Sequence, residues 1–340
     1  MNLSRRAFAG LIAAVPAAFA LARPGEAKTR HPQHTNHAIR RSHHHGLPLG
    51  VQTYSFREML NTPGDMVDKM IAAMVTLGIR QCELFEPTIQ PPELSVNAPW
   101  ASKGPGQASQ ASLFGGMPTN LKRTPEQQAA RDAVRAWRLN APLAYFADVR
   151  RRFERARIEV LAFNFLLKDD CTDDEVETGF AMTKALGARI MTASTTLTMA
   201  RRTIPFAERH GVIVAMHNHS NLSDPNQFAT PQSFEAAMAM SPLYWVNLDI
   251  GHFSASGFDS VSFIKAHHRR ITNLHIKDRL NHDGMNVPFG QGDTPIKAVL
   301  RLDGREGYRI PCTIEYEYAG AGTAIEELAK CQAYIRSAVA

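Results

Sequence analysis

The chain has 340 residues, 44% hydrophobic and 21% charged, ordinary for a globular protein and enough for one large barrel or two smaller domains. Its formal charge of +6 is misleading, because residues 1–50 carry seven Lys/Arg against one Glu, and the remaining chain is balanced at 31 of each sign. A neutral body excludes the basic surface that nucleic-acid binding requires. The four cysteines, Cys82, Cys171, Cys312 and Cys331, match no zinc spacing. Burial as free thiols is the expectation for Cys82 and Cys312, and a disulfide is open in an oxidising compartment.

Residues 1–27 read as an export leader. Ser4-Arg5-Arg6-Ala7-Phe8 is a twin-arginine pattern, the apolar run Leu11–Leu21 is short and contains Pro16, and small residues offer cleavage after Ala22 or Ala27. The twin-arginine translocase is then a transient partner, the mature chain is expected in the periplasm, and no stable membrane anchor remains. Residues 28–47 hold His31, His34, His37, His43, His44 and His45 and read as a flexible linker rather than a metal-scavenging tract.

From residue 48 onward, short apolar runs alternate with amphipathic stretches. Strands are predicted at Leu49–Tyr54, Gln81–Phe85, Ile158–Phe165, Arg189–Ser194, Val212–His217, Trp245–Asp249, Ile271–His275 and Ile310–Tyr316. Helices are predicted at Pro63–Leu77, from Thr124 with interruptions to about Arg155, and at Asp174–Leu186, Met199–Arg209, Phe234–Met240, Ser260–His268, Ile296–Leu302 and Ala324–Val339. Thr124-Pro125-Glu126-Gln127 is a capping-box start. Eight such units predict an α/β fold, a (β/α)8 TIM barrel over 48–340, and the lack of a Gly-rich loop after the first strand disfavours a doubly wound sheet. Residues 87–123, rich in Pro, Gly, Ser and Ala, form a long loop after the second strand, where Trp100 and Phe114 could close over a substrate.

A barrel places its chemistry at the C-terminal strand ends. Four successive strands end in metal-capable groups: His217, Asp249, His275 and Glu315. This mixed nitrogen and oxygen set suits one divalent ion, Mn²⁺, Co²⁺, Fe²⁺ or Zn²⁺. Glu83 and Glu86 end the second strand, and Glu83 is the candidate second proton-transfer base, with a rim salt bridge as its structural alternative. Glu317 lies two residues beyond Glu315 and is a partner of the ligands or the ligand itself. His219 alternates with His217 and is a candidate substrate contact, while Lys277 and Asp278 read as rim or supporting residues.

At these residues the sequence resembles the sugar phosphate isomerase/epimerase superfamily, the xylose-isomerase-like barrels, over about residues 47–340. The segments that carry the resemblance are Leu248–His252 (LDIGH), Asn273–Arg279 (NLHIKDR), Phe289–Asp293 (FGQGD) and Ile314–Tyr318 (IEYEY). The resemblance implies that Asp249, His275 and Glu315 bind the metal, that Glu315 doubles as base, that His252 contacts a substrate oxygen and that Arg279 helps to hold the substrate. Where many members have Glu at the end of the fifth strand, this chain has His217, which argues against a two-base epimerase.

The implied activity is metal-dependent isomerisation or epimerisation of a sugar or keto-sugar through an enediolate. A lyase or dehydratase acting on a keto-sugar or keto-inositol and a non-catalytic periplasmic sugar-binding protein are the alternatives. An endonuclease-type barrel would need more ligands and a phosphate-binding charge excess. Oligomeric state, a homo-oligomer included, stays open.

Overall fold

The computed structural model describes residues 43–44, 47–95 and 123–339. The export leader, most of the His-rich linker, and Trp100 and Phe114 of the long loop lie outside the described residues.

Eight parallel strands close on themselves: β1 Leu47–Gln52, β2 Gln81–Phe85, β3 Glu159–Asn164, β4 Ile190–Ala193, β5 Ile213–His217, β6 Tyr244–Asp249, β7 Ile271–Ile276 and β8 Cys312–Ile314. Each pairs with its neighbour in sequence, and β8 returns to β1 in register Thr313 to Gly50, which closes the barrel. The predicted strands all form, each displaced by at most two residues at either end.

The surrounding helices are α1 Met66–Thr76, α2 Pro125–Asn140, α3 Leu143–Arg155, α4 Asp173–Ala185, α5 Leu197–His210, α6 Pro231–Met240, α7 Ile250–Ala255, α8 Ser260–His267, α9 Ile296–Glu306 and α10 Ala324–Val339. Their ends follow local chemistry. Thr124 and Gln127 form the expected capping box on α2, and Thr172 with Glu175 does the same on α4. Gly211 ends α5 in the left-handed region at φ 63°. The predicted interruption after α2 falls at Ala141–Pro142, since proline cannot donate the next helical hydrogen bond. The short α7 has no counterpart in the sequence reading. It starts because Asp249 caps it, Oδ1 accepting from the His252 amide at 2.7 Å.

Period-two alternation divides each strand between two environments. Cys82, Leu84, Val246, Leu248, Leu274, Ile276, Cys312 and Ile314 belong to the main apolar core with residues of the surrounding helices. The alternating set on the same strands is polar: Glu83, Asn247, Asn273, His275 and Thr313 hydrogen-bond among themselves inside the barrel. The strands therefore do not read as continuous apolar runs. All four cysteines are free and buried, with no disulfide.

Candidate metal centre

Glu83 organises the barrel interior. It is fully buried, and its two oxygens accept from six side-chain donors. Oε1 takes Gln52 at 3.4 Å, Asn164 at 3.1 Å and Thr192 at 2.7 Å, while Oε2 takes Asn247 at 3.3 Å, Asn273 at 2.7 Å and His275 Nε2 at 2.8 Å. Burial works against its ionisation, but His275 and the converging donors outweigh that and hold its pKa below the usual range. One carboxylate thus ties β1, β3, β4, β6 and β7 to β2.

This corrects the reading of Glu83 as a second base: both oxygens are engaged below the site, and none is left for a substrate proton. Its neighbour Glu86 is held in a buried salt bridge. It accepts two hydrogen bonds from Arg138, each 2.7 Å, and one from the Leu166 amide.

Above Glu83 the four predicted strand-end residues converge. One ligand atom each from His217, Asp249, His275 and Glu315 lies within 4.8 Å of the others, and all four residues are buried. Glu83 sets the orientations of both imidazoles. A carboxylate only accepts, so the Asn247 amide must turn its NH2 to Glu83 and its oxygen to His217 Nδ1, 2.7 Å away. His217 Nδ1 therefore carries the proton, and Nε2 offers a lone pair to the cluster. His275 donates Nε2–H to Glu83 directly and Nδ1–H to Glu315 Oε2 at 2.9 Å, so both its nitrogens carry protons until a cation takes the place of the second. A ligating histidine held by a carboxylate through its other nitrogen is a recurrent device in metal sites.

The remaining donors are equally directed. Asp249 spends Oδ1 on the α7 cap, while Oδ2 is buried and has no aligned hydrogen-bond donor. The Lys277 ammonium lies 3.0 Å from that oxygen as its ion-pair partner. Asn218, the middle residue of the His-Asn-His segment, clamps β5 to β6 by exchanging hydrogen bonds with the Asp249 backbone at 2.9 and 3.1 Å.

Four buried carboxyl groups, Glu83, Asp249, Glu315 and Glu317, face one ammonium and two imidazoles here. Burial and the neighbouring Glu315 charge raise the Asp249 pKa, whereas Lys277 and His275 override burial and depress that of Glu315. An excess of negative charge, an unaligned Asp249 oxygen, the fixed His217 lone pair and a His275 nitrogen whose proton a cation can displace fit a divalent cation held by His217, Asp249, His275 and Glu315.

Lys277, read from sequence as a rim or supporting residue, takes the supporting place at the centre. Its ammonium is 2.8 Å from Glu315, 3.0 Å from Asp249 and 2.5 Å from Glu317. Its two-residue offset from His275 points it into the same lumen, a signal that was present in the strand alternation. The glycine of the LDIGH segment serves this lysine: a Cβ on Gly251 would fall on the Lys277 stem. Asp278 accepts the amides of Gly290, Gly292 and Thr294 at 2.7–3.2 Å, so it anchors the FGQGD loop.

His219 and His252 stand at the edge of the centre. The His217 and His219 rings are 5.0 Å apart and those of His219 and His252 4.9 Å. Atoms of His217, His219 and His252 also come within 4.8 Å of one another, but a proton decides against a second metal set. His252 Nδ1 lies 2.5 Å from Arg279 Nη1, and arginine only donates. The His252 proton therefore sits on Nε2, which cannot ligate and can donate to a ligand oxygen. Burial together with the nearby cations keeps His252 and His219 neutral, their pKa values well below the ordinary imidazole range.

Arg279 itself is fully engaged. Its five N–H groups go to Gly284 O (twice), Ser220, His252 and Asp283. It corrects the expectation of a substrate-holding arginine: it orients His252 instead. Among the described residues, the opening above the cluster has an apolar wall of Tyr54, Phe85 and Leu166 facing the histidines. Lys168, absent from the sequence reading, lies after β3 and donates to Ser194 O at 2.9 Å, and burial brings its pKa down to about 8.

A closed parallel barrel with a metal-capable cluster on its C-terminal strand ends defines the class of protein. The chain belongs to the xylose isomerase-like TIM barrel family, whose model matches residues 144–337. No curated protein matches the sequence. Among solved structures, it is similar to a probable 3-DHS dehydratase, AsbF, involved in petrobactin synthesis in Bacillus anthracis, at 14% identity and TM-score 0.56 over 85% of this chain and 97% of that one. It is also similar to the IolI protein, whose structure holds a zinc atom, at 16% identity and TM-score 0.56 over 86% and 97%. A sugar phosphate isomerase/epimerase of Parabacteroides distasonis aligns at 15% identity and TM-score 0.52 over 85% and 93%. At these identities the likeness is one of fold.

Proposed function

We propose that this protein is a metal-dependent sugar isomerase acting on a hydroxy-ketone or aldose substrate through an enediolate. The observation that carries the reading is the orientation relay from Glu83, which turns the His217 Nε2 lone pair and the His275 Nδ1 edge toward the same point as Asp249 Oδ2 and Glu315. A divalent cation held there supplies Lewis-acid polarisation of the substrate carbonyl.

The other roles fall to the chain's own residues. Glu315, ionised and at the mouth of the barrel, takes the proton from the carbon beside the carbonyl. Lys277, 2.8 Å from Glu315, moderates the base and keeps it ionised between turnovers. His252 donates Nε2–H to a substrate oxygen, with Arg279 fixing that tautomer. His219 contacts the substrate from the next position along the wall. Tyr54 and Phe85, ring centroids 5.4 Å apart, receive the C–H face of the sugar.

The carboxylates at the opening, Glu315 and Glu317, both follow β8. With Glu83 engaged below, proton transfer is confined to one face of the substrate, which favours aldose–ketose isomerisation over epimerisation. The same one-face geometry supports a second reading, expulsion of a β-oxygen from the enediolate by a lyase or dehydratase. The AsbF likeness is compatible with that reading by fold. In line with the leader, the protein would be exported by the twin-arginine route and act in the periplasm.

The test is deuterium exchange in D2O by the metal-loaded protein on a panel of aldoses and keto-sugars, followed by NMR. Solvent deuterium entering at the carbon beside the carbonyl, lost in Glu315→Gln, is the expected result. Retention of every substrate C–H by the metal-loaded protein would leave a non-catalytic sugar-binding role.

A further inference from the structure

The opening directly over the cluster is small, about 40 Å³. That leaves room at the cluster for no more than one sugar unit. Beside it lies a cavity of about 700 Å³, within the range of small-molecule sites. Its walls are the segment after β5, Ser220–Ser223, the end of α7, and the turn between Arg279 and Asn286. His219 lines both spaces, and His252 lines the larger one. The rings of His217, His219 and His252 pack in a row, 5.0 and 4.9 Å between successive centroids, so the two openings lie on either side of His219, side by side.

The lining is hydrogen-bonding but without an unbalanced charge. Arg279 and Asp283 pair with each other at 3.1 Å, and the Arg279 donors are all taken. Among the described residues, the lining offers a phosphate no lysine and no second arginine. Ser223 and Asn221 present polar groups, and Leu222, 54% exposed, gives one apolar platform. Polar edges around an apolar platform suit a neutral ring with hydroxyls on its rim and C–H groups on its face.

We infer that the outer cavity is a second sugar subsite and that the substrate is an unphosphorylated glycoside of at least two ring-sized units, its reacting unit over the cluster and its second unit between Leu222 and the Arg279–Asn286 turn. This rests on the sugar-enzyme reading above and adds the size and charge class of the substrate.

The experiment titrates the metal-loaded full chain by calorimetry with glucose and with a panel of α- and β-linked glucose disaccharides, glucose 6-phosphate being the charged control. At least one disaccharide is expected to bind about tenfold tighter than glucose, or better, and glucose 6-phosphate no tighter than glucose. Ser223→Trp, on an exposed loop away from the cluster, should bring the disaccharide down to the glucose affinity while leaving glucose binding unchanged. Leu222→Ala should weaken the disaccharide alone by a few-fold. Equal affinities for glucose and every disaccharide, a preference for the phosphate, or a disaccharide preference that survives Ser223→Trp would each overturn the subsite. The D2O exchange assay separates the two ideas: exchange without disaccharide preference sinks only the subsite, and disaccharide preference without exchange sinks only the isomerase reading.

Discussion

Replacing Lys277 by Met keeps the apolar stem and removes the ammonium from among three carboxyl groups at 2.5–3.0 Å. Removing one partner of a buried ion pair costs about 3–5 kcal/mol, because the charges left behind are neither solvated nor paired. At about 2 °C per kcal/mol for a domain of this size, the melting temperature in chelator should fall by about 6–10 °C. The cluster then lacks its internal counter-ion, so a divalent ion should stabilise the variant more than the native chain; saturation at 1,000 Kd is worth about 4 kcal/mol. Asp249, Glu315 and Glu317 hold the Lys277 pKa above its ordinary value against the opposing effect of burial. A raised lysine contributes its stabilisation in full below its unfolded pKa and loses it only above its folded one, so the deficit should be equal at pH 6 and pH 9. The assay is scanning calorimetry of both proteins in chelator and in excess Mn²⁺ or Zn²⁺. Equal melting temperatures in chelator, or a gap that metal leaves untouched, would refute the placement of Lys277 at the centre.

Glu83→Gln removes the acceptor that orients His275 directly and His217 through Asn247, and metal affinity measured by competition with a chelator should drop about 10–100-fold. Metal binding should release a proton, because Glu83 and Glu315 raise the His275 pKa well above the ordinary value despite burial and the ion must displace the Nδ1 proton; titration in buffers of different ionisation enthalpy reads this directly, and affinity should rise with pH until His275 is deprotonated. Arg138→Met strands Glu86 and Glu175, which should cost about 3–5 kcal/mol in urea unfolding while leaving metal stoichiometry intact. Burial pushes the Glu175 pKa up, but the Thr172 amide and Arg135, Arg131 and Arg138 bring it to about 2, so its stabilisation is complete above the unfolded carboxylate pKa and should be lost as pH falls from about 4.5 to about 2.

The barrel was legible because alternation of β and α patterns survives any detail of packing, and the four ligand candidates because each ends an apolar run. What escaped was pairing across the lumen. The sequence places Glu83 and Glu315 in equivalent positions near strand ends. Only the closed barrel shows that Glu83 points down into six donors while Glu315 stands at the opening. Arg279 looked available for the same reason: its acceptors, Ser220 and Gly284, come from different loops. For Lys277 the sequence left rim and supporting roles open, although strand alternation already places it on the face of His275.

The exchange of a carboxylate for His217 has a consequence for the chemistry that the geometry makes specific. A Glu at the end of β5 would offer the centre a second base opposite β8 and one more negative charge. His217 offers neither. Its Nδ1 proton is committed to Asn247 and its Nε2 lone pair to the cluster, and burial together with His275 keeps its pKa low. On the isomerase reading proposed above, the proton-transfer groups all stand on the β8 wall, with Lys277 between Glu315 and Glu317. A chain built for epimerisation must reprotonate the opposite face, and the fifth-strand residue that would serve it is here His217, with both nitrogens committed. His217→Glu should thus add a base where none exists: in D2O, label would enter with inversion as well as retention at the exchanging carbon. Retained configuration alone in that variant, with metal still bound, would show that the fifth-strand residue does not set the stereochemistry.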